Sequence, residues 1–362
     1  MKRIPSSIDK KLEARKQQHA LRQLMDAHHL VDFYSNDYLG MARRHSTQHL
    51  QEGSTGSRLL SGNSKKSEAI ERDLAGFFQQ EAALFFNSGY DANLGFFSSV
   101  PQRGDTVIYD ELSHASIRDG IQLGYAHSFS FKHNDTEELK AKIKRAKGTV
   151  YVVVEAIYSM DGDTAPLQSI ASICEMNGAF LVIDEAHSGG IYGAAGRGLV
   201  SELELDDAVF AKVITFGKAY GSHGAIVLGS EQLKQYLINF ARPLMYSTAL
   251  SPHTQERIRE MVGYVATLDS ERQNLRRLID HFKKSLDVSK YEWIESNSAI
   301  QSLLIPENQP AIEWSEKITK KGFATKAILS PTVPKGKERL RFCLHSYNTA
   351  KEIDALSEII NG

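Results

Sequence analysis

Cysteine is scarce in this chain of 362 residues: Cys174 and Cys343 stand far apart and are the only two. That excludes a disulfide scaffold, offers no zinc-ligand spacing and fits a reducing compartment. Long hydrophobic runs are missing as well. No window approaches the roughly 18 apolar residues of a membrane span. The opening "MKRIPSSIDKKLEARKQQ" has no apolar core of the kind a secretory signal needs. Nor does charge of one sign prevail, since 43 Lys and Arg face 44 Asp and Glu for a formal net charge of -1. Such a balance gives no global electrostatic reason to expect nucleic acid or an anionic membrane as partner. Internal repeats, low-complexity tracts and charge blocks are also lacking. The expectation is a soluble, cytoplasmic protein.

What is present is ordinary globular material, 41% apolar and 24% charged, long enough for two or three structural units. Leu12, Ala20, Leu21, Leu24 and Met25 recur at helical spacing and predict a helix over 7–28. "EGSTGSRLLSGNS" reads as a Gly/Ser loop. From there apolar strands alternate with helices: "AALFFNS", "DTVIYD", "HSFSFK", "TVYVVVEA", "AFLVIDEA", "KVITFG" and "GAIVLGS". Strands apolar throughout, with helices between them, predict a mostly parallel sheet covered on both faces. We place this large α/β domain at 36–245, after an N-terminal helix and arm at 1–35. A long polar helix over 252–285 then leads into a smaller α+β domain at 246–362, where antiparallel pairing is expected.

The chemistry centres on "AKVITFGKAYGSHGAIVLGS". A buried strand ends on Gly217 and then Lys218, the side chain that least tolerates burial. A lone Gly-Lys is usually a solvated turn; the alternative is an amine working in a dry pocket. "LVIDEAHSGG" puts Asp184 and His187 at the carboxyl end of another apolar strand, where open α/β sheets bind ligands. "VIDEAH" also resembles the magnesium-binding strand of DEAH-box ATPases, but those need G-x-x-x-x-G-K-[ST]. Gly217-Lys218 is followed by Ala and Gly336-Lys337 by Glu, so neither fits.

A strand-end aspartate and, 34 residues on, a strand-end lysine suit pyridoxal 5'-phosphate. Lys218 would form the covalent link and Asp184 would keep the ring nitrogen protonated. Ser88, Gly89 and Tyr90 in "NSGYDANLG" open a helix whose free N–H groups favour a phosphate, and Thr215 adds a hydroxyl. His114 in "DELSHASIRDG" lies between a strand and a helix start, where it is either a simple cap or a ring-stacking group. The strand in "VYVVVEA" ends with Glu155, and Ser159 follows at the same carboxyl edge. In "RLRFCLH", Arg339 and Arg341 share one face, and a guanidinium is the usual fork for a carboxylate.

Together, "SNDYLG", "GSTGSRLLSGN", "NSGYDAN", "LSHASIRDG", "YSMDGDTAPL", "IDEAHSGGIYGAAGRG", "TFGKAYG" and "SPTVPKGKERLR" resemble the α-oxoamine synthases from about residue 7 to the end. These are fold-type I pyridoxal phosphate transferases that condense an amino acid with an acyl thioester and release carbon dioxide. The last segment is most similar to the member using alanine and a pimeloyl thioester; glycine- and serine-using relatives share the pocket. A non-condensing aminotransferase or lyase of the same fold is the other reading. The resemblance implies Lys218, His114 and Asp184 as catalytic. It implies His187, Gly89, Tyr90, Ser159, Thr215 and Glu155 as cofactor contacts, with Ser247 and Thr248 reaching the phosphate of a neighbouring subunit in a homodimer. On the substrate side it implies Arg341, Thr332, Arg22 and Asn36, with L-alanine and an acyl-CoA or acyl carrier protein as partners. The chain departs from the pattern in a short segment before "SNDYLG" and in Ser222 and His223, both bearing on the acyl channel.

Overall fold

The computed structural model describes residues 5–17, 52–330 and 332–362. Arg22, Asn36, the expected strand at "VDFYSNDYLG" and the later part of the helix expected over 7–28 lie outside the described residues. Contacts divide the chain into two compact units. One runs up to Ala156 and again from Pro166 to Thr267; the other comprises Ile157–Ala165 and Leu268–Gly362.

In chain order the first unit contains α1 (Ser6–Gln17), α2 (Lys65–Phe77), β1 (Ala82–Phe86), α3 (Gly89–Ser99), β2 (Thr106–Asp110), α4 (Ala115–Leu123), β3 (His127–Phe131) and α5 (Thr136–Arg145). It continues with β4 (Val150–Glu155), α6 (Leu167–Asn177), β5 (Phe180–Asp184), α7 (Leu199–Glu202), β6 (Ala211–Thr215), β7 (Ala225–Gly229), α8 (Glu231–Phe240), α9 (Arg242–Tyr246) and α10 (Pro252–Val265). The seven strands form one sheet in the order β1-β7-β6-β5-β4-β2-β3. Pairs from β6 through β3 are parallel, and β7 alone runs against the rest. Continuous apolar strands are what a sheet covered on both faces requires. β1, β5 and β7 are buried at every position, while edge strand β3 is exposed at four of five. The core on one face joins Leu84, Val153, Val182 and Val213 to Phe96 and Phe97 of α3, with Ile8 and Leu12 of α1 and Leu237 of α8.

The second unit contains α11 (Asp269–Ser285), β8 (Trp293–Ile294), β9 (Ile300–Leu304), α12 (Asn308–Lys320), β10 (Lys326–Ile328), β11 (Arg339–Cys343) and α13 (Ala350–Asn361). Its strands pair antiparallel throughout, in the order β10-β11-β9-β8. α13 begins with a full capping box, Thr349 and Glu352 each satisfying the other's backbone.

The long helix expected over 252–285 is two helices. α10 closes at Ala266, whose N–H bonds the Val262 carbonyl, and Thr267 turns back to Tyr264. This break is the seam between the units, because α10 packs on α2 of the first. The seam at 267/268 lies some way past the expected 245/246. The segment 157–165 goes with the second unit because side chains of that unit hold it. Ser296 Oγ donates to the Gly162 carbonyl at 2.8 Å and Ser302 Oγ to the Met160 carbonyl at 2.8 Å.

Candidate active site

Four neighbouring parallel strands deliver their carboxyl ends to one edge of the large sheet, and β1 adds the start of α3. β4 and β5 are in register to their last pair, Glu155 opposite Asp184. β2 leads through Ser113 to His114, which opens α4, and β6 leads through Thr215 to Lys218. A cavity of about 300 Å³ lies at this edge, lined among others by Gly89, Tyr90, His114, Asp184, His187 and Lys218. Thr215 and Glu155 also face it. A larger cavity of about 360 Å³ near Phe180 and Phe210 is lined by none of the expected residues.

Asp184 is buried, and its two carboxylate oxygens are both engaged. Oδ1 accepts the Ala186 N–H at 2.9 Å, and Oδ2 accepts from Asn93 Nδ2 at 2.7 Å. Lys218 Nζ lies 2.8 Å from His187 Nε2. The lysine is exposed in the single chain, not enclosed in the dry pocket its strand suggested. Gly217 and Gly221 flank it in an open turn.

His114 caps α4, its Nδ1 accepting the Ser116 N–H at 3.2 Å and lying 2.8 Å from Ser116 Oγ. Withdrawal from water, reinforced by the cation of Lys218, holds this imidazole below its usual pKa, although Asp184 pulls the other way. The cap reading and the cavity reading therefore both hold: one ring nitrogen caps the helix while the residue lines the cavity. Glu155 Oε1 accepts the His114 N–H at 2.6 Å. Burial, with Asp184 beside it, pushes the Glu155 carboxyl up to about 8.

Glu155 therefore carries a testable pH dependence. Its folded value lies above that of an ordinary carboxyl, so between about pH 4.5 and about pH 8 the folded chain holds a proton that the unfolded chain has released. Its contribution to stability is complete at the acid end of that window and lost as pH rises through it. Glu155→Gln keeps an acceptor for His114 N–H and cannot ionise. In cofactor-free protein, its Tm advantage over wild type should be small near the acid end and grow to several degrees towards about pH 8. Thermal melts across that range check this; parallel curves would show that Glu155 does not titrate there.

The start of α3 has the donors an anion needs. Ser88 Oγ accepts the Asp91 N–H at 3.0 Å, and the Ser88 carbonyl accepts from Ala92. The N–H groups of Gly89 and Tyr90 precede any intrahelical acceptor. Gly89 is required by space: a Cβ there would sit 2.5 Å from Thr215 Cγ2. Tyr90 OH donates to Asp119 Oδ2 at 2.5 Å. The glutamate of "DEAH" serves the fold instead. Glu185 is fully buried, and its Oε1 accepts from Ser188 Oγ at 2.9 Å and from Val200 N at 3.0 Å. Gly198, at φ +110°, leaves room for that carboxylate, since a Cβ would lie 2.5 Å from it.

Other expected residues are not among those lining this cavity. Ser159 and Arg341 belong to the second unit and bind each other, Arg341 Nε donating to the Ser159 carbonyl at 2.6 Å. Arg339 shares that strand face, as its alternation suggested, and is paired with Asp161 in a buried ion pair. Thr332 is exposed in the turn after β10, its N–H bonded to the Leu329 carbonyl. Ser247 is half-buried and Thr248 exposed just after α9; the Thr248 carbonyl accepts from Asn87 Nδ2 at 2.8 Å. Sequence reasoning missed Asn93 and Ser116, which link Asp184 to His114. The available signal was position: Asn93 stands one helical turn after Gly89, on the same face of α3.

Comparison with known proteins identifies the family. The family model for class I and II aminotransferases matches residues 28–360. The 8-amino-7-oxononanoate synthase of Emericella nidulans is 40% identical over 91% of this chain and 88% of its own length. That of Cellvibrio japonicus is 35% identical over 99% of this chain and 98% of its own. Among solved structures, a serine palmitoyltransferase from S. paucimobilis with a bound PLP–myriocin aldimine superposes with a TM-score of 0.82 at 28% identity, covering 86% of this chain and 79% of that one. The 8-amino-7-oxononanoate synthase of Francisella tularensis gives a TM-score of 0.76 at 29% identity, covering 92% and 97%. With its mostly parallel large sheet, its small antiparallel sheet and a strand-end lysine facing a strand-end aspartate, the chain belongs to the class I and II aminotransferase family and, within it, to the α-oxoamine synthases.

Proposed function

We propose that the chain condenses L-alanine with a pimeloyl thioester, releasing carbon dioxide and giving 8-amino-7-oxononanoate in biotin biosynthesis, with pyridoxal phosphate as cofactor. The carrying observation is one cavity lined by Lys218, His187, Asp184, His114 and the start of α3. These residues fit the cofactor. The N–H groups of Gly89 and Tyr90 match its phosphate, with the Thr215 hydroxyl nearby. Asp184 is an acceptor-only partner for a protonated ring nitrogen, His114 offers a ring to stack, and His187 a contact for the phenolic oxygen.

When bound, pyridoxal phosphate supplies a protonated ring that takes up the electron pair left on the substrate carbon. The Lys218 amine would hold the cofactor and, once freed, would be the base for the proton on the substrate's α carbon. His187 Nε2, 2.8 Å from that amine, keeps it aimed at the cavity. Asp184, fixed by Ala186 and Asn93, would hold the proton on the ring nitrogen. The exposure of Lys218 in one protomer supports a homodimer in which a second copy covers the cavity. Ser247 and Thr248 would then reach the partner's phosphate.

Arg341 would fork the alanine carboxylate. Its Nε is committed to Ser159, and the two Nη groups supply the fork. Arg341→Lys keeps charge and loses that geometry. The alanine KM should rise roughly tenfold or more with cofactor content unchanged. Arg339→Lys should lower Tm through its ion pair with Asp161 and leave the alanine KM alone. Steady-state kinetics on both variants check this, and the reverse pattern would show that the carboxylate site lies elsewhere.

Product analysis tests the whole reading. Alanine, glycine and serine, each offered with pimeloyl and shorter thioesters on coenzyme A and on acyl carrier protein, are followed by mass spectrometry. The expected product is 8-amino-7-oxononanoate from alanine and the pimeloyl thioester. A preference for glycine with a short thioester would assign the chain to a different α-oxoamine synthase reaction. Amino transfer without thioester consumption would exclude condensation.

A further inference from the structure

Asn93 lies on α3, is 2% exposed, and reaches two of the cavity's principal groups with one amide nitrogen. Nδ2 is 2.7 Å from Asp184 Oδ2 and 3.1 Å from Ser116 Oγ. The direction of these bonds follows from chemistry. A carboxylate only accepts, so the amide must present its NH2 to Asp184; turned over, its oxygen would face the carboxylate, acceptor against acceptor. Asn93 Oδ1 is left buried with no partner, which marks how strongly the other end dictates the orientation. The second N–H points at Ser116 Oγ. That hydroxyl, receiving a proton from Asn93, gives its own to the acceptor 2.8 Å away, His114 Nδ1. The Ser116 backbone N–H, which can only donate, reaches the same Nδ1 at 3.2 Å.

We propose that Asn93 is a positioning residue: one amide locks Asp184 as an acceptor-only carboxylate and, through Ser116, holds His114 as a neutral imidazole with its proton on Nε2. This rests on the proposed function only for what Asp184 and His114 do; the hydrogen-bond directions are independent of it. The consequence is a pair of walls with fixed and different charge, an anion at Asp184 and a neutral ring at His114. Without the relay, the charged groups around His114 decide its state. Asp184 and Asp119 draw a proton on, while Lys218 and Arg118 oppose; the Glu155 carboxyl at its backbone, pushed up to about 8, is largely uncharged near neutral pH.

The test is a long-range proton–nitrogen correlation spectrum of the full, cofactor-free chain labelled at histidine nitrogens, with His114→Gln identifying the signal. Wild type should show the proton on Nε2 at neutral pH. Ser116→Ala should raise the His114 midpoint by about one pH unit, the effect of one lost bond to the neutral form, and Asn93→Ala, which leaves the Ser116 hydroxyl free to turn away, should raise it in the same direction by less. If Asn93→Ala does not fold, Asn93→Leu, close in volume and without donors, takes its place. A wild-type proton on Nδ1, or a midpoint unmoved in a folded Asn93 variant, overturns the proposal. In the loaded enzyme the same Asn93 variant should lower kcat more than it raises the alanine KM; the opposite split also overturns it. The spectrum needs no substrate, so failure of the relay and failure of the condensing function are read separately.

Discussion

Lys218→Ala is expected to lower kcat by about 10⁴-fold or more, about 5.5 kcal/mol of barrier, while leaving the fold intact. The residue sits in an exposed turn after β6, so its loss removes no core contact. What disappears is an amine placed 2.8 Å from His187 at the cavity. The variant should still take up pyridoxal phosphate, held by α3 and Asp184 without a covalent link. Single-turnover kinetics together with Tm check both halves. Residual turnover within tenfold of wild type would assign the proton transfer to another group.

Asp184→Asn is expected to cost about 10³-fold in kcat, about 4 kcal/mol, with little change in folding. An asparagine cannot keep a ring nitrogen protonated, so the electron-accepting capacity of the bound cofactor falls. The local geometry adds a second effect. The side-chain carbonyl of the substituted residue could still accept the Ala186 N–H, but its amide would then face the NH2 of Asn93, donor against donor. The substitution should therefore disturb His114 as well, through Ser116. Steady-state kinetics check the first effect, and a variant within threefold of wild type would mean that the ring is activated some other way.

Much of the architecture was legible because the central strands of the large sheet are apolar throughout, the pattern a doubly covered sheet requires. β4 and β5, "VYVVVE" and "FLVID", follow from sequence directly. Less was legible where amphipathic helix and loop share a composition. α8 and α7 gave no strong signal, and the polar stretch 252–285 hid the break at Ala266, where the chain carries no proline. In the site, residues at strand ends could be read because the fold puts the carboxyl ends of the parallel strands at one edge. The Asn93–Asp184 bond spans 91 residues and the Asn93–Ser116 bond 23, so no local pattern announces either. The exposure of Lys218 was likewise illegible, since a strand-end lysine reads the same whether its cover is its own chain, a cofactor or a second subunit.

The most direct measurement is borohydride reduction of the yellow, cofactor-loaded protein followed by peptide mass mapping. The expected result is a single pyridoxyl phosphate adduct on Lys218, absent from Lys218→Ala. An adduct on any other lysine, or protein that takes up no pyridoxal phosphate, would contradict the assignment of the site.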